Sequence, residues 1–225
     1  MLKINMIGCG NAGRTLGRLW AQQHVLAIGG ILTRSLASAE NAAAFIGAGR
    51  AVESVSEMEC ACLYLIGTPD DNIEQAGVAL AAAGILKPGD IVFHLSGALS
   101  SRKLAQLEEK GAAVASVHPV KTFADPAHAA ETFAGTFCGI EGSPAAAALL
   151  ADTFTAIGGK VFTLETERKA LYHAATVIVS NYQASLMELG TRVFERAGVV
   201  RSAARQIMEP LARETLANIF ELDAV

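Results

Sequence analysis

The sequence predicts an α/β fold in which a mostly parallel sheet is followed by a small domain built only of helices. Short apolar runs alternate with segments whose apolar residues recur at helical spacing, and this alternation is typical of βαβ units. The chain has 225 residues, of which 52% are hydrophobic but only 6% aromatic, a composition that suits close packing of helices on a sheet. Beyond Glu165 the sequence indicates no further strand, so the remaining residues form the helical domain.

Short apolar runs that end at turn residues indicate the strands of the sheet. They lie at residues 2–7, 25–32, 50–55, 63–66, 91–95, 113–117, 137–141 and 161–164. Apolar residues at helical spacing indicate helices after the first strand, at residues 38–45, 71–83 and 144–157, and between the fifth and sixth strands. Residues 165–197 carry one long helical pattern without an internal proline, and a second helix begins near Ser202. We therefore place the domains at residues 1–164 and 165–225.

The turn after the first strand contains a G-x-G-x-x-G pattern, Gly8-Cys9-Gly10-Asn11-Ala12-Gly13. Gly8 would allow a tight turn, Gly10 would let the backbone approach a pyrophosphate, and Gly13 would let the helix pack closely on the strand. The diphosphate would rest on N–H groups around Asn11 and Ala12, where the helix dipole favours an anion. An ordinary glycine-rich turn is the alternative. Between a strand and a helix, the pattern predicts a Rossmann-type domain that binds a dinucleotide.

The end of the second strand distinguishes the two nicotinamide dinucleotides. An acidic residue there would bind the ribose 2′-hydroxyl of NAD, whereas an arginine accommodates the 2′-phosphate of NADP. This chain has Thr33, Arg34 and Ser35 at that position and no carboxylate close by. The guanidinium and the two hydroxyls could bind phosphate oxygens, so we expect NADP in preference to NAD. An exposed loop arginine is the alternative interpretation of Arg34.

Further polar residues follow strands at the edge where parallel sheets bind their ligands. Thr68, Pro69 and Asp70 follow the fourth strand, where a bend of the backbone would pass near the nicotinamide ribose. Ser96 follows the fifth strand and His118 the sixth. His118 could exchange a proton with a substrate hydroxyl or imine, and Ser96 could orient the same group. The alternatives are a structural histidine and a serine that turns the chain into a helix. Lys121 could hold a substrate carboxylate.

The helical domain supplies further polar candidates. Lys169 and His173 are four residues apart on the predicted helix and Asn181 falls near the same face, whereas Tyr172 lies one step round. A polar stripe on an otherwise apolar helix would face a substrate, and Lys169 is a second candidate for holding its carboxylate. A solvated helix face is the alternative for Lys169, and for His173 and Asn181 neither interpretation is favoured.

Composition argues against several other classes of protein. The formal net charge is −4 at pH 7 and no run is dense in Lys or Arg, so we expect no nucleic-acid partner. No signal peptide is indicated, and no apolar stretch is long enough to span a membrane. The cysteines, Cys9, Cys60, Cys62 and Cys138, fit neither a zinc site nor a redox C-x-x-C pair. We expect reduced, mostly buried thiols in a cytoplasmic protein with no metal site.

Five stretches spread over nearly the whole chain resemble the 6-phosphogluconate-dehydrogenase-like superfamily of Rossmann oxidoreductases. They are MIGCGNAGRTLG, LIGTPDDNI, HLSGALSSRKL, ASVHPVKTFADP and ALYHAATVIVSNYQASL. The chain looks most similar to bacterial Rossmann-like oxidoreductases with a C-terminal domain of unknown function. Ser96 and His118 match the positions of a catalytic serine and of a catalytic histidine in an H-P motif of prephenate dehydrogenases. The resemblance also implies a dimer built through the helical domain.

The sequence departs from this family at its C-terminal end. Members of the family usually continue past the residues NIF into a segment with Gly and Pro that helps to wall the cleft. This sequence ends at Val225, so the helical domain is interpreted as truncated.

Three functions fit these residues. The first is an NADP-dependent oxidoreductase that transfers a hydride between nicotinamide and a small oxo, hydroxy or imino acid, with His118 as general acid or base. The second is a non-catalytic NADP-binding protein whose helical domain signals cofactor occupancy to a partner. The third is an NADPH-dependent reductase of flavin or deazaflavin. We expect the first function, with a small-molecule substrate and a homodimeric protein.

Overall fold

The computed structural model describes residues 1–221. Its strands are β1 (Leu2–Ile7), β2 (Leu26–Leu32), β3 (Arg50–Val52), β4 (Leu63–Ile66), β5 (Ile91–His94), β6 (Ala113–Pro119), β7 (Phe137–Gly142) and β8 (Lys160–Thr163). Its α-helices are α1 (Asn11–Gln22), α2 (Leu36–Ile46), α3 (Ile73–Ala82), α4 (Pro126–Glu131), α5 (Pro144–Ala156), α6 (Lys169–Val177), α7 (Gln183–Arg196) and α8 (Arg201–Glu221). Ser101–Lys110 forms a 3₁₀ helix, and Ile178–Tyr182 forms a π-helical turn between α6 and α7.

The strands form one sheet in the order β3-β2-β1-β4-β5-β6-β7-β8. All neighbouring pairs are parallel except β6 and β7, which are antiparallel. The strand order reverses at β1 and β4, because the chain leaves β3 at one edge and returns on the other side of β1. Open parallel sheets bind their ligands at such a reversal. The predicted fold class, a Rossmann-type mostly parallel sheet followed by helices, is confirmed.

Three predicted elements differ in length or helix type, and α4 was not predicted. β3 stops at Val52, short of predicted residue 55, because the Glu57 carboxylate accepts hydrogen bonds from the N–H of Glu53 and the hydroxyl of Ser54. The helix after β5 is a 3₁₀ helix, and the long predicted helix contains a π-helical turn. Apolar spacing distinguishes helices from strands but does not separate these helix types, since their periods differ little over so few residues.

The core lies on both faces of the sheet. On one face Trp20 of α1 packs edge to face against Phe93 of β5 and Phe154 of α5, with ring centroids 6.5 and 5.5 Å apart. On the other face the buried residues include Tyr64 of β4 and Leu80 of α3. Burial on both faces fixes the sheet, and the loops at its carboxyl edge are therefore held by a rigid base.

The thiols divide into two pairs. Cys9 and Cys138 are buried as expected, and burial raises the pKa of each thiol to about 12, so both stay protonated. Cys60 and Cys62, by contrast, are exposed in the loop that precedes β4.

The chain divides into two compact units, Met1–Tyr172 and His173–Val225. The first contains the whole sheet and the helices that cover it. In the second, α7 and α8 pack against each other. Within the described residues, no helix is both long enough and apolar enough to cross a membrane. The boundary at Glu165 stays a prediction, and the end of the predicted domain, residues 222–225, lies outside the described part of the chain.

Candidate active site

Gly8 brings the ends of β1 and β4 together. Its φ is +85°, in the left-handed region that favours glycine, and a Cβ atom there would lie 2.5 Å from the backbone nitrogen of Thr68. The N–H of Gly8 donates to the carbonyl of Leu32, and the N–H of Gly67 donates to that of Ile7, both over 2.8 Å. The loop is therefore fixed among three neighbouring strands, and only glycine fits at its first position.

The N-terminus of α1 is open. Its N-cap residue is Gly10, no side chain caps it, and its first turn holds no acidic residue. A Cβ atom at Gly10 would meet nothing within 4 Å. A cleft of about 200 Å³ is lined by Gly10, Asn11, Ala12, Gly13, Gly67, Thr68, Asp70, Leu95 and Ser96. The first N–H groups of a helix have no partner inside the helix, and together with the helix dipole they favour an anion such as a diphosphate.

Thr68 adds a polar atom that the protein leaves unsatisfied. Its Oγ1 is buried and has no hydrogen-bond partner within residues 1–221. Thr68 also lines the cleft at the N-terminus of α1. Because buried hydroxyls nearly always have a partner, an unpaired one beside a cleft fits a ligand whose polar atoms complete it. The residues present here therefore fit the sugar and diphosphate of a dinucleotide.

The loop expected to select the cofactor lies between β2 and α2. The hydroxyl of Thr33 donates to the carbonyl of Ser35 over 2.9 Å. The hydroxyl of Ser35 accepts from the N–H of Ser38 over 3.3 Å and so caps α2. Arg34 is exposed and forms no ion pair in the described part of the chain. The proton of the Thr33 hydroxyl is thus used inside the loop, whereas the guanidinium of Arg34 and the proton of the Ser35 hydroxyl are available to a ligand.

Ser96 lies buried just beyond β5, with Leu95 between it and the strand. Its Oγ donates to Oδ2 of Asp70 over 2.8 Å and accepts from the N–H of Leu99 over 2.9 Å. It also accepts from the N–H of Ala98 over 3.2 Å. A serine hydroxyl has one proton and two lone pairs, and all three are used here. Ser96 therefore turns the chain, and its proton reaches a substrate only in exchange for the contact with Asp70.

His94 holds the same turn from the end of β5. Its Nδ1 accepts from the N–H of Ser96 over 3.2 Å, so the ring proton lies on Nε2, 3.1 Å from the carbonyl of Ser100. Burial, together with the nearby positive charge of Lys169, lowers the pKa of His94 to about 4. The ring is therefore neutral at physiological pH and serves as a structural support.

Lys169 and Glu141 form a buried ion pair behind this turn. Lys169 is 1% exposed, and its Nζ donates to Oε1 of Glu141 over 3.2 Å and to the hydroxyl of Ser116. Ser116 donates in turn to the carbonyl of Ser96 over 3.3 Å. Lys169 was one of two candidates, with Lys121, for holding a substrate carboxylate, and the alternative for it was a solvated helix face, which its burial rules out. The structure instead pairs its ammonium with a carboxylate of the protein.

Opposing effects set the pKa values of this pair. Burial lowers the pKa of Lys169, and the charge of Glu141 offsets only part of that effect. Burial favours a higher pKa for Glu141, but the charge of Lys169 and hydrogen bonds from Ser101 and Thr166 hold it below its usual range. The backbone N–H and the hydroxyl of Ser101 each donate to this carboxylate over 2.8 Å. The carboxylate is therefore ionised and well solvated by the protein.

His118 lies half-buried at the end of β6, beside an aromatic hydroxyl. Its Nδ1 is 3.0 Å from the hydroxyl oxygen of Tyr172, and the two rings meet edge to face with centroids 5.6 Å apart. Lys121 lies further along the same segment, and its Nζ donates to the carbonyl of Thr132 over 2.9 Å. Thr132 ends α4, so the ammonium of Lys121 satisfies a helix C-terminus in this structure.

Asn11 links the glycine loop to the segment that follows His118. Its Nδ2 donates to the carbonyls of Phe123 and Ala124 over 2.7 and 3.2 Å. One helical turn later, the hydroxyl of Thr15 shares its proton between the carbonyl of Asn11 at 2.8 Å and that of Pro126, in the same segment, at 3.2 Å. Hydrogen bonds therefore join the dinucleotide loop directly to the segment that follows His118.

His173 and Asn181 belong to the second unit. The hydroxyl of Thr176 donates to the carbonyl of His173 over 2.8 Å and lies 3.4 Å from its Nδ1. Asn181 is exposed in the π-helical turn Ile178–Tyr182. A π-helical turn adds a residue to the helical repeat, so the relative orientation of His173 and Asn181 is not that of an uninterrupted α-helix, and the common face predicted for them stays a prediction.

Three residues of the first unit, Tyr172, Glu141 and Asp70, contact predicted site residues although no role in the site was predicted for them. Tyr172 was placed off the polar stripe because helical spacing groups Lys169 with His173. Glu141 ends a run predicted to be an apolar strand, and a carboxylate in such a run is itself a signal for a buried cationic partner. Asp70 follows a buried strand directly after Thr68 and Pro69, and that position at the carboxyl edge was a signal for the site.

The sequence matches the models of two families. Residues 1–119 match the Rossmann-like domain, and residues 136–225 match a domain of unknown function, DUF2520. No curated protein matches the sequence.

Solved structures share the fold. Protein TM1727 from Thermotoga maritima is 26% identical, with a TM-score of 0.75 over 97% of this chain and 78% of its own. The imine reductase from Myxococcus stipitatus in complex with NADP+ is 14% identical, with a TM-score of 0.70 over 97% of this chain and 75% of its own. Prephenate dehydrogenase from A. aeolicus in complex with hydroxyphenyl propionate and NAD+ is 14% identical, with a TM-score of 0.63 over 75% of this chain and 62% of its own.

These matches confirm the resemblance found in the sequence. The Rossmann-like match includes β1 to β6 and the glycine loop, and the DUF2520 match begins just before β7. Because the first match spans more than half of the 225 residues, the chain belongs to the family of Rossmann-like domains, and a DUF2520 domain follows in the same chain.

Proposed function

We propose that this protein is an NADP-dependent oxidoreductase that transfers a hydride between nicotinamide and a small oxo, hydroxy or imino acid. One observation carries the proposal: the open N-terminus of α1 and the unpaired hydroxyl of Thr68 line one cleft. Asn11 ties that cleft to the segment of His118. The imine reductase with NADP+ that shares this fold supports the reaction type. When bound, the nicotinamide would supply the hydride.

The residues of the cleft would bind the cofactor. Gly8 and Gly10 leave room for the diphosphate, and the N–H groups at the start of α1 would bind its oxygens. Thr68 would contact the sugar or diphosphate with its unpaired hydroxyl. Arg34 would pair with the 2′-phosphate, because its exposed guanidinium has no ion-pair partner within residues 1–221.

His118 would exchange the proton that accompanies hydride transfer. An imidazole changes charge near neutral pH, so it can give a proton to the substrate oxygen or nitrogen during reduction and take it back during oxidation. Ser96 would orient the reacting group after releasing Asp70. Lys169 would act at a distance, since its ammonium reaches Ser96 only through Ser116.

Measurements of cofactor binding test whether the protein binds NADP in preference to NAD. Purified protein is titrated with NADPH and with NADH, following the fluorescence of Trp20 and of the cofactor. We expect micromolar binding of NADPH, much weaker binding of NADH, and loss of this preference in Arg34→Ala. Arg213→Ala is the control, because it removes one exposed positive charge from α8. Equal affinity for both cofactors, or unchanged NADPH binding by Arg34→Ala, would contradict the assignment of Arg34.

Measurements of turnover test whether the protein transfers a hydride and whether His118 takes part. Small oxo and imino acids are screened for oxidation of NADPH, and the most active is then assayed with His118→Ala. We expect that variant to bind NADPH normally but to lose about 100-fold or more in kcat, the usual contribution of a general acid or base. A full rate in His118→Ala would remove His118 from the mechanism.

A non-catalytic NADP-binding protein is the second candidate. The observation that favours it is the Ser96 hydroxyl, whose bonding capacity is filled by Asp70 and two backbone N–H groups. This candidate predicts tight NADPH binding and no oxidation of NADPH with any member of the substrate panel.

We also propose that the protein forms a homodimer through its second unit. Leu186, Leu189 and Val193 recur at helical spacing on α7, are 60, 58 and 58% exposed, and line an apolar groove of about 470 Å³. Such a continuous apolar face is typical of a surface that a partner covers, and a second copy would offer a matching one. Sedimentation velocity tests this: we expect a dimer for the wild type and a monomer for Leu189→Glu. A wild-type monomer at micromolar concentration would refute it.

A further inference from the structure

The contact between His118 and Tyr172 joins two distant parts of the chain. The Tyr172 hydroxyl on α6 lies 3.0 Å from Nδ1 of His118, which is within hydrogen-bond range for these atoms. The rings also pack edge to face, with an angle of 82° between their planes. The phenol therefore fixes both the position of the imidazole and the direction in which Nδ1 points.

Packing holds Tyr172 itself in place. Its ring meets Phe162 of β8 edge to face, with centroids 6.0 Å apart. Phe162 meets Phe137 of β7 in the same way at 6.4 Å. Edge-to-face contacts favour particular ring orientations, so this row of aromatic rings restrains the hydroxyl that faces His118.

The chemistry of a phenol suits a histidine that changes protonation. Burial, together with the neighbouring Cys138, raises the pKa of Tyr172 to about 12, so the hydroxyl keeps its proton near neutral pH. When a proton leaves or joins Nε2 of a histidine, Nδ1 carries its own hydrogen both before and after the transfer, so the partner of Nδ1 must accept in both states. The oxygen of a neutral phenol can accept from Nδ1–H, and it lacks the negative charge by which a carboxylate would favour the imidazolium. Tyr172 can therefore accept from Nδ1–H of His118 before and after proton transfer.

We propose that Tyr172 is the positioning residue of His118: its hydroxyl engages Nδ1 in both protonation states and assigns proton exchange to Nε2. This follows the arrangement in which a third group orients the base of a catalytic pair. The catalytic consequence rests on the proposed oxidoreductase function. The hydrogen bond to Nδ1 does not, and it can be tested in the protein without a substrate.

Tyr172→Phe separates positioning from packing, because it removes the hydroxyl oxygen and keeps the ring that contacts Phe162 and His118. Tyr64→Phe is the matched control. In the wild type, the hydroxyl of Tyr64 is also hydrogen-bonded, accepting from the N–H of Ala61 over 3.1 Å and donating to the carbonyl of Ile85 over 3.3 Å. It lies in β4, on a face of the sheet covered by the core.

The first readout is the ¹⁵N NMR spectrum of the histidine rings in the full-length protein, with His118 assigned by loss of its signals in His118→Gln. We expect Tyr172→Phe to shift the Nδ1 resonance of His118 and change its tautomer ratio, and Tyr64→Phe to leave both unchanged. Unchanged His118 resonances in Tyr172→Phe would overturn the inference, whatever the kinetics show.

The second readout is the kinetics with the best substrate from the screen. Tyr172→Phe is expected to lower kcat about 10- to 100-fold, with KM and the Kd for NADPH changed less than threefold, since hydride donor and substrate still bind. An unchanged kcat together with a shifted Nδ1 signal would overturn the catalytic part. If the wild type turns over no substrate and the Nδ1 signal still shifts, the positioning role is supported and the proposed reaction fails.

Discussion

The side-chain amide of Asn11 donates to the carbonyl of Phe123 over 2.7 Å and so connects the dinucleotide loop to the segment after His118. The contact spans more than one hundred residues of sequence and joins the first helix to the loop beyond β6. This hydrogen bond therefore ties the position of the dinucleotide loop to that of the segment that follows His118.

Asn11→Ala should weaken this coupling. Loss of the two hydrogen bonds to Phe123 and Ala124 is expected to lower the free energy of unfolding by about 1 kcal/mol. It should also weaken NADPH binding severalfold, because the loop is no longer held in place. Urea unfolding and fluorescence titration measure the two effects. Asn41→Ala, on the exposed surface of α2, is the control and should change neither quantity. Wild-type values for Asn11→Ala would show that the contact carries no coupling.

Gly8 and Gly10 should respond differently to the same substitution. Gly8→Ala places a methyl group 2.5 Å from the backbone nitrogen of Thr68 at a φ of +85°, so it should destabilise the fold by about 1–3 kcal/mol or more. Gly10→Ala meets nothing within 4 Å and has an ordinary φ of −73°, so the protein should fold normally. Its methyl group would instead occupy the space of the diphosphate and weaken NADPH binding at least tenfold. Thermal unfolding and titration of both variants check this contrast, and normal NADPH binding by Gly10→Ala would place the diphosphate elsewhere.

His94 should make stability depend on pH. Its pKa in the folded protein is about 4, below the 6.5 of an ordinary histidine, so the unfolded chain binds the proton first as the pH falls. The free energy of unfolding should therefore decrease between about pH 6.5 and about pH 4, by roughly 3 kcal/mol at about 1.4 kcal/mol per pKa unit. Urea unfolding of the wild type and of His94→Asn across this range measures the contribution. His128→Asn, at an exposed position, should keep the wild-type slope. If the free energy of unfolding of His94→Asn fell with pH as steeply as that of the wild type, His94 would not be the cause of the pH dependence.

The buried pair of Lys169 and Glu141 should be far more sensitive than an exposed pair. Lys169→Met leaves an uncompensated carboxylate in the interior and is expected to cost about 3–5 kcal/mol. Adding Glu141→Leu should recover part of that loss, because the remaining buried charge is removed. Arg102→Met is the control, since it breaks the exposed pair with Glu167 and should cost less than about 1 kcal/mol. A double variant less stable than Lys169→Met would mean that Glu141 stabilises the fold through Ser101 and Thr166 instead.

The parts of the molecule set by local sequence were predictable. Gly8 could be assigned to a tight turn because a strand, a glycine pattern and a helix follow one another in sequence, and its positive φ agrees with that assignment. The strands were located for the same reason, since alternation and turn residues are local signals. The short β3 was the exception, because its end depends on the side chain of Glu57.

The long-range contacts were not predictable from spacing. Tyr172 meets His118 across 54 positions, and Lys169 meets Glu141 across 28. Helical spacing alone grouped Lys169 with His173 and left Tyr172 aside. The π-helical turn Ile178–Tyr182 then altered the repeat on which the position of Asn181 had been predicted. Each of these outcomes depends on which strand or helix turn is adjacent in space, and the spacing of residues along the chain does not indicate that.

The antiparallel pairing of β6 and β7 places Ser116 opposite Glu141, and these residues come from the two separately matched sequence families. The families are thus distinct modules in sequence but share one hydrogen-bonded sheet. A fragment that stopped at Pro119 would leave β6 as an open edge, prone to aggregate, and would deprive Ser116 of its charged neighbours. Recombining the N-terminal module with a foreign C-terminal module would therefore require that the new partner supply both an antiparallel edge strand and an acidic residue opposite Ser116.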